Sequence, residues 1–193
     1  MANINTKITS KLKLAAQSIL IVASIISTNV SSAKKPDSFT LDGSLIETVG
    51  NKYNIDPLLL YSIAIAESAT GVGNGNIGPT PLVLRSKDGP VFFKDKKTAE
   101  IELTKILQTT NLVDVGLMQI NLHYHPQENP LDLLDPYHNL SEAARYLKTT
   151  LASTTDPVLG VGRYHSWDNN KANWYGHRIW TIYRNLISLL SET

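Results

Sequence analysis

No cysteine occurs among the 193 residues of this chain. That excludes a disulfide framework, a thiol nucleophile and a lipid-modified cysteine anchor. Nor is there an excess of positive charge. The 18 Lys and Arg stand against 17 Asp and Glu, so nothing in the balance points to nucleic acid. Beyond residue 33 there is no apolar run long enough to span a bilayer. A protein built this way is held together by its core alone.

What the chain does have begins at its N-terminus. Lys7, Lys11 and Lys13 form a basic stretch without acids, and Leu14 to Ile26 is a mostly apolar run of 13 residues. Val30-Ser31-Ser32-Ala33 then places small residues where a signal peptidase reads them. This is the pattern of a secretory signal peptide over residues 1–33, cut after Ala33; an uncleaved anchor is the alternative. Without the three lysines the basic residues fall from 18 to 15 against 17 acids, a formal charge of −2. The mature chain is therefore expected to be a soluble periplasmic or secreted protein with no stable membrane span.

Its length suits one domain with its own core. Residues 34–43, polar and containing Pro36, read as a mobile leader. Leu45, Ile46, Val49 and Tyr53 at helical spacing predict a helix over 44–53. Asp56-Pro57 starts a second, running to about Glu67 or Ser68. PLVLRS and PVFFKD around Lys87-Asp88-Gly89 predict a hairpin, and Thr98 to Leu107 a helix. Asn139 is read as the cap of a helix over LSEAARYLKTTLA. Asp156-Pro157 opens VLGVGRYHS, and an amphipathic helix closes the chain. The expectation is a mainly α (α+β) domain over 44–193, with a hairpin-plus-helix insert at about 79–110.

Glu67 stands out. Ala64, Ile63 and Leu60 lie three, four and seven residues before it, an apolar stripe on an almost uncharged helix. Burial and the negative end of the helix dipole both disfavour its anion, the condition for a general acid near neutral pH. The alternative is a glutamate at a fraying helix end reaching solvent. Further on comes DVGLMQIN. Gly116 permits close approach by a ligand or by the Glu67 helix. Met118 suits an irregular groove wall, or the core. Gln119 and Asn121 carry amides able to bind acetamido sugars. In GRYHS, Tyr164 offers a phenol that can bond a carboxyl, or simply pack.

Glu67-Ser68, Gly116-Leu117-Met118-Gln119-Ile120 and Tyr164, in that order, resemble the lytic transglycosylases of the soluble-lytic-transglycosylase (SLT) family, over roughly 44–187. These are lysozyme-like cleavers of peptidoglycan. The resemblance is nearest to small accessory members that serve secretion, conjugation or pilus systems. It implies a lysozyme-like helical fold, peptidoglycan glycan strands as partner, and no metal or cofactor. It also implies Glu67 as catalytic acid/base, with Ser68, Gly116, Met118, Gln119 and Asn121 along the groove. Tyr164 matches the tyrosine that positions the glutamate. Two features depart from the family. His165 stands where Asn is usual, and 49 residues separate Glu67 from Gly116, more than in compact members. Trp167 is the better candidate for stacking on a sugar, whereas Trp180 is expected to pack the last helix; Trp174 and Tyr175 can do either.

Ordinary glycosidases use two carboxylates. Here Asp114, Asp132, Asp135 and Asp168 are read as loop or cap residues, leaving Glu67 alone. The resemblance implies that one carboxyl suffices because the sugar's own C6 hydroxyl closes a 1,6-anhydro ring. A lysozyme-type muramidase, delivering water instead, and a non-catalytic peptidoglycan-binding protein are the rivals. His123 and His125, alternating as ligands on a strand would, raise a metal site, but no HExxH pattern accompanies them.

Overall fold

The computed structural model describes residues 40–73 and 76–191. The expected signal peptide and the leader as far as residue 39 lie outside that range. The described end of that leader, residues 40–43, makes two contacts with the domain. Leu41 packs against the core, and the Gly43 N–H donates to Glu47 Oε2 at 2.6 Å.

Helix α1 (Leu45–Tyr53) starts at Ser44, whose side chain accepts from the Glu47 N–H, and stops at Asn54 in the left-handed conformation. Helix α2 (Pro57–Ser68) starts as Asp56-Pro57 dictates, with Asp56 Oδ1 accepting from the Leu58 N–H at 2.8 Å. Leu58, Leu59, Leu60, Tyr61, Ser62, Ile63 and Ala64 are all buried. A helix apolar on every side has to be central, and α2 packs against both α1 and the last helix.

Two small antiparallel sheets follow. Strands β1 (Ala69–Gly73) and β2 (Asn76–Pro79) pair as a ribbon directly after α2. The expected hairpin is β3 (Val83–Ser86) and β4 (Gly89–Phe92). It belongs to a four-stranded sheet in the order β4-β3-β5-β6, with β5 (Asp114–Val115) and β6 (Ile120–Asn121). Between β4 and β5 runs α3 (Lys96–Leu107), capped by Asp95 and anchored by Ala99 and Leu103.

After a 3₁₀ turn (Pro130–Leu134) comes α4 (Pro136–Ala152). It begins one turn earlier than expected, because Asp135-Pro136 supplies the cap and the first helical residue, with the His138 N–H donating to Asp135 Oδ1. Asn139 is thus inside the helix, and its side chain serves elsewhere. Helices α5 (Pro157–Gly162) and α6 (Asn169–Ser191) complete the chain. They approach to backbone contact at two glycines. A Cβ on Gly162 would lie 1.9 Å from Ala172 O, and one on Gly176 2.0 Å from Val158 O. Trp180 packs as expected, its Nε1 donating to Pro157 O at 3.2 Å. This close seam fixes the residues beside those glycines, Tyr164, His165 and Tyr175.

Candidate active site

Strand alternation divides the sheet into two faces. In register, Leu84, Val115 and Ile120 form one row and are buried in the core. The adjacent row is Arg85, Asp114 and Asn121, on the opposite face. From that row the Arg85 guanidinium reaches the end of α2, with Nη2 3.5 Å from Glu67 O. The polar row therefore faces the last turn of the apolar helix. Asp114, expected in a loop, is a strand residue on this wall.

The turn joining β5 to β6 is Gly116-Leu117-Met118-Gln119, with φ of +77° at Gly116 and +49° at Gln119. Asn139 holds it. Its Oδ1 accepts from the Met118 N–H at 2.8 Å, and its Nδ2 donates to Val115 O and Leu133 O at 2.9 and 3.0 Å. The close approach that Gly116 permits is to this asparagine: an added Cβ would sit 2.6 Å from Asn139 Nδ2 and 2.7 Å from Leu133 O. That approach is thus to α4 and the 3₁₀ turn rather than to α2.

Several expected groove residues prove to be internal. Met118 is fully buried in the core. Ser68 is buried too; its hydroxyl donates to Leu117 O at 2.7 Å and accepts from the Thr80 N–H at 3.3 Å, latching α2 to the turn. The Gln119 amide donates to Gly116 O at 2.9 Å and accepts from Arg85 Nε at 3.1 Å. The Asn121 amide donates to Asp114 Oδ1 at 2.7 Å and accepts from the His123 N–H at 3.0 Å. Buried or half-buried amides bond to whatever is nearest, and here those partners are protein groups. Each amide thus spends one donor and one acceptor inside the protein.

Tyr164 also differs from expectation. Its hydroxyl donates to Met118 O at 2.8 Å, bracing the turn. The phenol on Glu67 is that of Tyr175, donating to Oε1 at 2.5 Å from the buried face of α6. The His165 ring stacks on Tyr175 at 4.9 Å and 8° between planes, backing the phenol from outside. Trp167 is 56% exposed; its Nε1 donates to the Tyr146 hydroxyl at 3.1 Å and Arg163 lies over its ring.

Glu67 itself is half-buried at the helix end. Burial pushes its carboxyl above the ordinary glutamate range, and the negative charge of Asp114 adds to that. The Tyr175 hydrogen bond and the cations of Arg178 and Arg85 pull the other way. Burial, opposed by the Asn121 bond and by the charges of Arg85 and His165, raises Asp114 as well. Burial and the neighbouring Glu67 charge push both phenols well up, so each stays a donor. Burial, Lys171 and Arg178 push His165 down, towards the neutral ring. Burial thus favours the protonated carboxyl, and the Tyr175 hydroxyl is the donor bonded to it.

The two candidate ligand histidines do not act together. His123 Nδ1 pairs with Asn111 Oδ1 at 3.2 Å, whereas His125 packs edge-on against Tyr146. Among the described residues no three His, Asp or Glu converge as a metal site. No helix among them is long and apolar enough to cross a membrane.

A half-buried glutamate that closes a central helix and faces a small antiparallel sheet, in a mainly helical domain, defines a lysozyme-like fold. The chain belongs to the Transglycosylase SLT domain family, which matches residues 44–187. Members of that family are lytic transglycosylases acting on peptidoglycan. No curated protein and no solved structure matches the chain.

Of the residues around Glu67, the sequence does not single out Arg85 or Arg178, reads Asp114 as a loop or cap residue, and leaves Tyr175 between stacking and packing. Asp114, two residues before Gly116, carried a signal in its position. Tyr175 and Arg178 carried none, being two polar groups on an ordinary amphipathic helix.

Proposed function

We propose that this protein is a peptidoglycan lytic transglycosylase that acts in the periplasm or after secretion, with Glu67 as its acid and then its base. The observation that carries the reading is the setting of Glu67: half-buried, bonded by Tyr175, and flanked by charges of both signs. In the first step the Glu67 proton passes to the oxygen of the MurNAc–GlcNAc β-1,4 bond. The C1–O bond breaks, its electron pair stays on that oxygen, and the N-acetyl carbonyl of MurNAc stabilises C1. In the second step the Glu67 carboxylate takes the proton of the C6 hydroxyl, whose oxygen closes on C1 as the 1,6-anhydro ring. Burial and Asp114 favour the acid; Tyr175, Arg178 and Arg85 favour the base that follows. No metal or cofactor enters these steps. Service to a secretion, conjugation or pilus assembly rests on the sequence resemblance alone.

Glu67→Gln is expected to abolish release of fragments from purified sacculi while circular dichroism stays that of the folded protein. An active Glu67→Gln protein would sink the assignment. A second reading, a lysozyme-type muramidase, is favoured by Asp114, a second carboxylate on the facing wall. Mass spectrometry of the wild-type digest decides between them. Products ending in 1,6-anhydro-MurNAc mark the transglycosylase, and products ending in reducing MurNAc mark the hydrolase.

A further inference from the structure

Two guanidinium groups flank Glu67. Arg85 comes from β3, in the insert; its Nε is bonded to Gln119 Oε1, and its Nη2 lies 3.5 Å from Glu67 O. Arg178 comes from α6; its Nη2 is 3.3 Å from Ala66 O, and its guanidinium lies over the ring of Trp174 at 5.9 Å. Both residues are exposed. Among the described residues neither is ion-paired with a carboxylate. Arg85 Nη1 has no hydrogen-bond partner among those residues.

Capping the carbonyls of α2 accounts for one hydrogen bond from each arginine. Support for the Glu67 anion in the second step gives both charges a use, but it leaves Nη1 of the exposed Arg85 without a partner among the described residues. With Glu67 protonated, this wall carries Arg85 and Arg178 against Asp114 alone, a surplus of one positive charge. An accessible, unneutralised arginine fork is suited to a carboxylate of the ligand.

We propose that Arg85, assisted by Arg178, receives a carboxylate carried by the substrate, and that the preferred substrate is glycan stripped of its stem peptides. The proposal rests on the peptidoglycan reading above. In a strand with stems, the lactyl carboxyl of each muramic acid is locked in an amide. The remaining carboxylates then lie out along a flexible peptide. In a stripped strand the lactyl carboxylate is free and attached to C3 of the same ring whose C1 is cut, within one sugar ring of the bond beside Glu67. Arg85 thereby makes the insert a specificity element. The reaction that must supply this substrate is hydrolysis of the lactyl–alanine amide.

The test uses the mature wild-type protein and three glycan preparations: strands with intact stems, amidase-stripped strands, and stripped strands whose lactyl carboxylates are capped as neutral methylamides. The wild type is expected to have its lowest KM on the stripped strands. Arg85→Met is expected to raise that KM by about tenfold more than it raises the KM on capped strands, the scale of one charge-assisted hydrogen bond. Arg85→Lys should recover part of the loss, since the charge remains. Arg178→Met should shift the pattern in the same direction, and it carries the test should Arg85→Met fold poorly. Equal KM on stripped and capped strands overturns the proposal. So does a uniform loss by Arg85→Met on all three, which would mark a purely structural arginine. Arginine-dependent preference for intact stems overturns it too, placing the carboxylate in the peptide. A wild type inactive on every preparation would instead remove the peptidoglycan reading and this proposal with it.

Discussion

Glu67 is held in a compromise between opposing effects, and the compromise has measurable consequences. Because burial raises its pKa, the folded protein keeps this proton at pH values where an unfolded glutamate has lost it. The stability this contributes is complete below the ordinary glutamate range, about pH 4.3. It is lost as pH rises through the raised value in the folded state. Glu67→Gln, which cannot ionise and can still accept from Tyr175, is therefore expected to melt at a higher temperature than wild type in mildly alkaline buffer. Thermal melts across pH should show the gap closing towards acid. Tyr175→Phe keeps the volume of a buried ring but removes the donor to the Glu67 anion. Glu67 should then hold its proton to higher pH, moving the alkaline limb of the activity profile upward. The maximal rate should fall by about tenfold, as the base of the second step loses its support. A pH–rate profile unchanged from wild type would show that Tyr175 only packs.

Among the elements, the four-residue turn from β5 to β6 braces the end of α2 through Ser68 and Arg85 through Gln119, and it is built from inside. Asn139, buried in the first turn of α4, supplies the bonds to Met118 N, Val115 O and Leu133 O that a regular strand would have found in a neighbour. Tyr164 and Ser68 bond the carbonyls of Met118 and Leu117. Asn139→Ala leaves three buried backbone groups without that partner, at a cost of about 3 kcal/mol. The expected fall in Tm is roughly 8 °C, read by circular dichroism, with activity falling in parallel at temperatures where the variant is still folded. The motif GLMQI thus has a structural meaning that its chemistry alone does not suggest. Its methionine fills the core, and its glutamine fixes Arg85.

Across the whole molecule, the legibility of the sequence follows the range of the forces involved. Helix α2 was readable because Asp56-Pro57 and a run of apolar residues act over a few positions, and the hairpin because Lys87-Asp88-Gly89 turns the chain locally. Glu67 was readable because its apolar approach lies in the preceding two turns. The start of α4 was missed by one turn because two adjacent cap signals compete and only packing decides between them. The partners of Glu67 were beyond local reading. Tyr175 lies 108 residues away and reaches it only because α5 and α6 meet at backbone contact through Gly162 and Gly176. Arg85 and Asp114 share a face only because β3 pairs with β5 in one register; a slip of one residue would put them on opposite faces. Neighbours along the chain set the main helices, the β3–β4 hairpin, the motifs that carry the family resemblance and the one carboxyl at the end of an apolar helix. Which donors and charges surround that carboxyl is a matter of strand register and helix contact between distant segments, which no local pattern carries.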